Sequence, residues 1–267
     1  GRERGSMKYR WICCRPLVLA VFLTVTPLTF GQARPPADAS AFRPGLEFEY
    51  GSRTVGWTED GQDAISKASF WLASVVFEYR IQPGFSLAAR IGYSSTSFEE
   101  LAFRQIPLSI ELEAGGLGGL LLGAEVEKSL YSGESYGLDI IGQFLASLGL
   151  NKTWNIPGLA VEGSVQGKPT WMRASLGPVL TFRGWEGVTP FLFPRLDYFW
   201  GQFKLDETVQ ELQGSEQKDL KGKAIIGLAL GADLKLSPRL HLRCEGALYP
   251  REGGTDYSFM VRTLYSF

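Results

Sequence analysis

The stretch WLASVVFEYRIQPGFSLAARIGYS, residues 71–94, decides the architecture. Trp71, Ala73, Val75, Phe77, Tyr79 and Ile81 share one parity, and Ser74, Glu78 and Arg80 take the other. After a turn at Gln82-Pro83-Gly84, Phe85, Leu87, Ala89, Ile91 and Tyr93 oppose Ser86, Arg90 and Ser94. Successive side chains of a strand point to opposite faces, so a period of two predicts a hairpin with one apolar and one charged face.

The same alternation continues in both directions. Toward the N-terminus, Leu46, Phe48 and Tyr50 alternate with Glu47 and Glu49. Toward the C-terminus, Ile106 to Leu112 oppose Glu111, Leu120 to Val126 oppose Glu125, and Tyr136 to Leu148 oppose Asp139. Leu159, Val161 and Val165 oppose Glu162; Met172 to Phe182 oppose Arg173; Leu192 to Trp200 oppose Arg195 and Asp197. Ile226 to Leu234 oppose Asp233 and Lys235, Leu240 to Leu248 oppose Arg243, and Tyr257 to Phe267 oppose Arg262. About twelve candidate strands result, with ten or eight as alternative even counts. Residues 106–130 keep one parity through AGGLGG and also read as one long bent strand, whereas 158–183 change parity near Lys168-Pro169.

Apolar residues on one face and charges on the other suit a sheet closed on itself in lipid. The closed ring satisfies every backbone group, and the apolar face meets the acyl chains. The fold class expected is therefore all-β, a transmembrane antiparallel β-barrel. Two aromatic sets support it: Tyr79, Phe182, Tyr265 and Phe267 near one set of strand ends, Tyr93, Tyr198, Trp200 and Tyr257 near the other. Short connections at 83–84, 184–188 and 237–239 are expected on the periplasmic side, and longer ones at 52–66, 204–222 and 250–256 outside. Trp57 and Trp154 would then be exposed loop aromatics.

The start of the chain reads as an export leader. Residues 1–6 form an upstream extension ahead of Met7, and 7–33 a cleavable signal peptide with Lys8, Arg10 and Arg15 before an apolar run. Residues 34–43 form a periplasmic lead-in, and 44–267 the barrel. Cys13 and Cys14 fall in the leader, leaving Cys244 as the lone thiol of the mature chain, without a disulfide framework. A net charge of -1 gives no case for nucleic acid as a partner.

The last third, VTPFLFPRLDYFWG (188–201), KAIIGLALGADLKLSPRLHLRCEGALY (223–249) and YSFMVRTLYSF (257–267), resembles the small bacterial outer-membrane barrels of the OmpW/OmpX-like and surface-antigen type. The resemblance implies a place in the outer membrane of a diderm bacterium, among its lipids. It also implies recognition of the terminal Tyr265 and Phe267 by the barrel-assembly machinery.

The charged face supplies the candidate site. Glu47, Glu78, Arg80, Arg90, Glu111, Glu125 and Asp139 are expected in the lumen from the first half of the chain. Arg173, Arg195, Asp197, Asp233, Lys235, Arg243 and Arg262 are expected there from the second. Paired across a narrow barrel they plug it; lining a wider one they bias a water-filled channel. The function expected first is a small porin-like channel for passive diffusion. The alternative is a closed barrel displaying surface loops for adhesion or host contact, and the outlier is a lipid-modifying enzyme. His241 is the sole histidine and follows a short turn, and no GxSxG elbow, metal motif or phosphate loop is present. No catalytic residue, metal or cofactor is therefore assigned, and the chain is expected not to be an enzyme.

Overall fold

The computed structural model describes residues 41–59, 62–103, 110–155, 163–209 and 211–267. The expected signal peptide, the expected upstream extension and most of the expected lead-in lie outside them. Twelve strands form one antiparallel sheet. They are β1 (Phe42–Glu59), β2 (Gln62–Gln82), β3 (Phe85–Phe103), β4 (Ile110–Ser132), β5 (Tyr136–Gly149) and β6 (Lys152–Asn155), then β7 (Gly163–Phe182), β8 (Val188–Val209), β9 (Leu212–Gly222), β10 (Ile226–Lys235), β11 (Leu240–Arg251) and β12 (Gly254–Tyr265).

The sheet closes where β1 meets β12, with Gly45 opposite Leu264 and Ser52 opposite Tyr257. Ten strands stand side by side around this ring, because β6 continues β5 along β7, and β9 continues β10 along β8. Residues 106–130 and 158–183, divided between four candidate strands in the sequence, contribute only β4 and β7 among the described residues. In β4 the bend falls at Gly116, whose φ of 64° is left-handed. There the register with β3 slips, and the bulge re-aims the strand. In β7 no turn occurs at Lys168-Pro169. Pro169 lies where β7 passes from its ladder with β5 to its ladder with β6, an interruption that tolerates a residue without N–H.

The outward face carries the apolar belt. Val75, Phe77, Ile91, Leu122, Phe144, Leu176, Leu196, Leu230 and Phe259 are all exposed. Tyr79, Tyr136, Tyr265 and Phe267 rim the end with the short turns, while Tyr50, Trp71, Tyr93, Tyr198 and Tyr257 form the other rim. Along β2 the two rims, Tyr79 and Trp71, are about 26 Å apart at ~3.3 Å per residue, which at a strand tilt of ~40° gives about 20 Å of height, most of the ~25 Å apolar band of such barrels.

Beyond the second rim the wall changes composition. The expected outer loops at 52–66 and 204–222 are instead strand hairpins: β1 runs to Glu59 opposite Gln62, and β8 to Val209 opposite Leu212. Their outward residues, such as Lys67, Lys204, Gln217 and Asp219, are polar and exposed, as a strand in water requires. The β11–β12 hairpin turns early, through Gly253 at φ 78°. Above it β9 crosses to pair with β1, Gly222 opposite Val55 and Lys221 opposite Gly56. Asp256 holds this crossing, accepting hydrogen bonds from the Thr54 N–H and hydroxyl, both at 2.8 Å. Eight segments thus continue outward from a ring of ten: β1–β4 and β6–β9.

Two exposed aliphatic side chains, Val75 and Ile65, consequently meet different solvents. Val75→Arg, at the middle of the belt, should lower unfolding free energy in lipid vesicles by roughly 2–4 kcal/mol in urea titration. Ile65→Arg, beyond the rim, should stay within about 0.5 kcal/mol of the parent. Equal losses would contradict the belt. Cys244 faces outward on β11 opposite Val261. With Cys13 and Cys14 replaced, it should react with a water-soluble maleimide only after denaturation.

Candidate functional site

The site is the interior of the ring. Between the rims it holds paired charges on the inward parity of seven strands, with β1 supplying Glu47, Glu49 and Arg53 and β8 supplying Arg195 and Asp197, beside an apolar cluster that includes Ile141, Val179, Phe191 and Phe193. From β12, Arg262 donates from Nε to Glu47 at 2.6 Å and forks onto Glu125 at 2.8 and 2.9 Å. Arg90 of β3 joins the same two carboxylates, 3.2 Å from Glu47 and in a short contact with Glu125. Gln143 donates to Glu125 at 2.7 Å and accepts from Ser175 at 3.1 Å. Across the lumen Arg173 forks onto Glu49 at 2.5 and 2.7 Å. Arg195 donates to Glu245 at 2.7 Å and to the Tyr249 hydroxyl, and Arg53 donates to Asp197 at 2.7 Å.

Five guanidinium groups therefore meet five carboxylates, all buried, so the cluster is neutral as a whole. Parallel two-point contacts between guanidinium and carboxylate are the strongest geometry available to such a pair. Charge-assisted hydrogen bonds on both partners offset the desolvation that a lone buried charge would suffer. Among the described residues, the space left between Glu47, Glu49, Arg90, Arg173, Arg195 and Glu245 is about 10 Å³. That is the lower limit for one water molecule.

The candidate residues separate by depth. Glu47, Arg90, Glu125, Arg173, Arg195, Asp197 and Arg262 belong to the central cluster. Nearer the short-turn end, Glu78 pairs with Arg43, and Arg243 with Asp233 at 2.7 Å. Asp139 is buried at this level, Arg80 is half-buried, and Lys235 is exposed at the mouth instead of lining the interior. His241 sits beside it on β11, opposite Lys235. The Glu111 side chain lies outside the described residues. Glu49 and Glu245, read on the charged parity with Glu47 and Arg243, join the cluster, whereas Arg53 and Tyr249 were absent from the expected lumen set. Arg53 had been placed in an outer loop, although it shares the parity of Glu47 and Glu49.

Toward the far end the interior turns largely apolar, with the buried charges Glu207, Glu216 and Lys218 beside it, Lys218 and Glu216 paired at 3.0 Å. Phe70, Leu72, Phe98, Leu121, Leu145, Trp171, Phe199 and Phe203 pack into one cluster. Trp171 and Phe199 stack at 5.2 Å, Phe70 lies 5.5 Å from Trp171, and the Trp171 indole N–H donates to Thr96 at 2.9 Å. Trp57, expected in an exposed loop, is buried in this cluster, and so is Val165, expected on the lipid face. Both follow from the narrowing: eight strands enclose a width that side chains fill, and a wall with water outside buries its apolar residues inside. The side chain of Trp154 lies outside the described residues.

Among the described residues no group of three or more His, Cys, Asp or Glu is arranged to hold a metal ion. No protein-family model matches the sequence, and no curated protein matches it either. The solved structures similar in fold are outer-membrane barrels. The outer membrane protease OmpT from Escherichia coli shares 9% identity, with 86% of this chain and 98% of that one covered and a TM-score of 0.48. The translocator domain of the autotransporter NalP from Neisseria meningitidis shares 11%, covering 86% and 90%, TM-score 0.47. Ail, the attachment invasion locus protein of Yersinia pestis, shares 12%, covering 85% and 99%, TM-score 0.33. The expectation that the chain is not an enzyme is corrected here: the OmpT match brings a protease into this set of barrels, and missing sequence motifs do not exclude catalysis.

Proposed function

We propose that this chain is an outer-membrane barrel closed by its own side chains, which acts as a scaffold presenting the β1–β2 and β8–β9 hairpins to the external medium. The observation that carries this reading is the neutral cluster of five arginines and five carboxylates with a residual void of about 10 Å³. The aromatic cluster around Trp171 lies further along the same axis, so two seals stand in series. A diffusion channel, the function first expected from the sequence, needs both to yield.

The exposed apolar belt between two aromatic rims supports a membrane position, and the short turns suit the periplasmic side. In this orientation Tyr265 and Phe267, with ring centroids 5.3 Å apart at the short-turn rim, are available as an assembly signal. The projecting hairpins suit contact with another cell or a host surface, since their outward residues are mostly polar and their inward ones are packed.

Conductance tests the closure. In planar bilayers the protein should give no steps above background, and sustained steps would overturn the reading. Arg173→Ala leaves Glu49 buried and unpaired, a loss of roughly 3–5 kcal/mol that should lower the temperature at which the fast-migrating folded form disappears on gels. With the aromatic seal intact that variant should remain silent in bilayers. Arg173→Ala combined with Trp171→Ala should begin to conduct.

A further inference from the structure

Five lysines stand exposed on the outer wall next to the far aromatic rim: Lys67 on β2, Lys168 on β7, Lys204 on β8, Lys221 on β9 and Lys223 just after it. Three of them converge on β1. Lys67 lies opposite Thr54, Lys221 lies opposite Gly56, and a Cβ at Gly56 would collide with the Lys223 side chain. Glycine there lets the Lys223 stem lie across the strand, between the other two. Below this patch come Tyr50 and Trp71, directly paired, and Lys221 is itself paired with Trp200.

The second observation is independent of that patch. Lys168 and Lys204 are direct cross-strand partners, both exposed. Like charges in this position cost stability unless an anion lies between them. Asp206 answers Lys204 at 2.9 Å and leaves Lys168 with no carboxylate opposite. Among the described residues two further exposed carboxylates share this face, Glu99 directly opposite Lys67 and Asp219 two residues before Lys221 and hydrogen-bonded by Gln217 at 3.3 Å, so that with Asp206 three carboxylates stand among the five lysines. Positive charge therefore dominates an arc running from β7 to β2, at the height where rim aromatics meet headgroups.

We infer that this arc binds the phosphate-bearing headgroups of lipids in the outer leaflet, with the Lys67, Lys221 and Lys223 patch as its strongest point. The inference rests on the membrane placement proposed above. Ammonium groups near a membrane surface attract anionic lipid, and Gly56 lets the Lys223 side chain lie close against the strand that Lys67 and Lys221 flank. The aromatic rim beneath then seats the glycerol and upper acyl region of the same lipid. This site makes the barrel a reader of lipid charge on one side of its circumference.

Reconstitution in nanodiscs of phosphatidylcholine mixed with phosphatidylglycerol, followed by native mass spectrometry of co-released lipid, tests it. The parent should retain phosphatidylglycerol in preference, and K67Q/K221Q/K223Q should lose the preference by roughly a hundredfold in relative affinity. K67R/K221R/K223R should keep it. Inorganic phosphate at millimolar concentration should not compete, because the acyl chains contribute to binding. Equal retention by the parent and the glutamine variant would overturn the site, as would full displacement by inorganic phosphate. A chain that shows no heat-modifiable migration in either lipid mixture would overturn the membrane placement as well, and so separates the two failures.

Discussion

A closed antiparallel sheet has one interior but, in this protein, two exteriors. In the membrane placement proposed above, the outside between the aromatic rims is hydrocarbon, where a backbone N–H or C=O without a partner costs several kcal/mol, so every strand must pair on both sides. That requirement fixes the ring of ten and its seam between β1 and β12. It also fixes what fills the ring. With apolar residues turned outward, the inward parity receives the polar ones, and a buried charge persists only with a partner of opposite sign. The five-by-five cluster of arginines and carboxylates follows from the position of the lipid.

Past the second rim the outside becomes water and the logic reverses without any break in the chain. β2 and β8 hold their pairing and their period of two through the boundary, yet Phe70, Phe199, Phe203 and Leu205 turn inward where charges stood below. The number of strands changes with the solvent. β9 takes over the path of β10 and crosses above the β11–β12 turn, so the wall draws in to a width that aromatic rings fill. Charge pairing closes the wide part and close packing closes the narrow part.

This reversal separates what the sequence displayed from what it concealed. The run from Trp71 to Ile81 was readable because most of its apolar residues point outward, with only Leu72 and Val76 buried on the other parity. Val165 was read by the same rule and placed on the wrong face, because it lies beyond the rim. The parity change at Lys168-Pro169 suggested a turn, but the strand is continuous and its surroundings differ. The signal was available in Phe199, Phe203 and Leu205, which share the parity of Arg195 and Asp197 and could not all face lipid. Arg53 was recoverable from parity in the same way, as the next inward position after Glu47, Glu49 and Gly51. The pairing of Arg262 with both Glu47 and Glu125 was not, since it depends on which strands curvature brings together across the lumen.

The length of β8 has a mechanical meaning. Its 22 residues span about 70 Å at ~3.3 Å per residue, from the short-turn end to the tip of an external hairpin. It belongs to both the wide and the narrow part of the wall, with β7 along one edge and β9 and then β10 along the other. A load applied at the hairpin tip along the strand would strain these ladders together in shear instead of opening them one bond at a time. The paired arginines and carboxylates brace the lower half of the same strand from inside. In the membrane placement proposed above, a tip held this way would pass a pull on to the wall of the barrel without first unravelling.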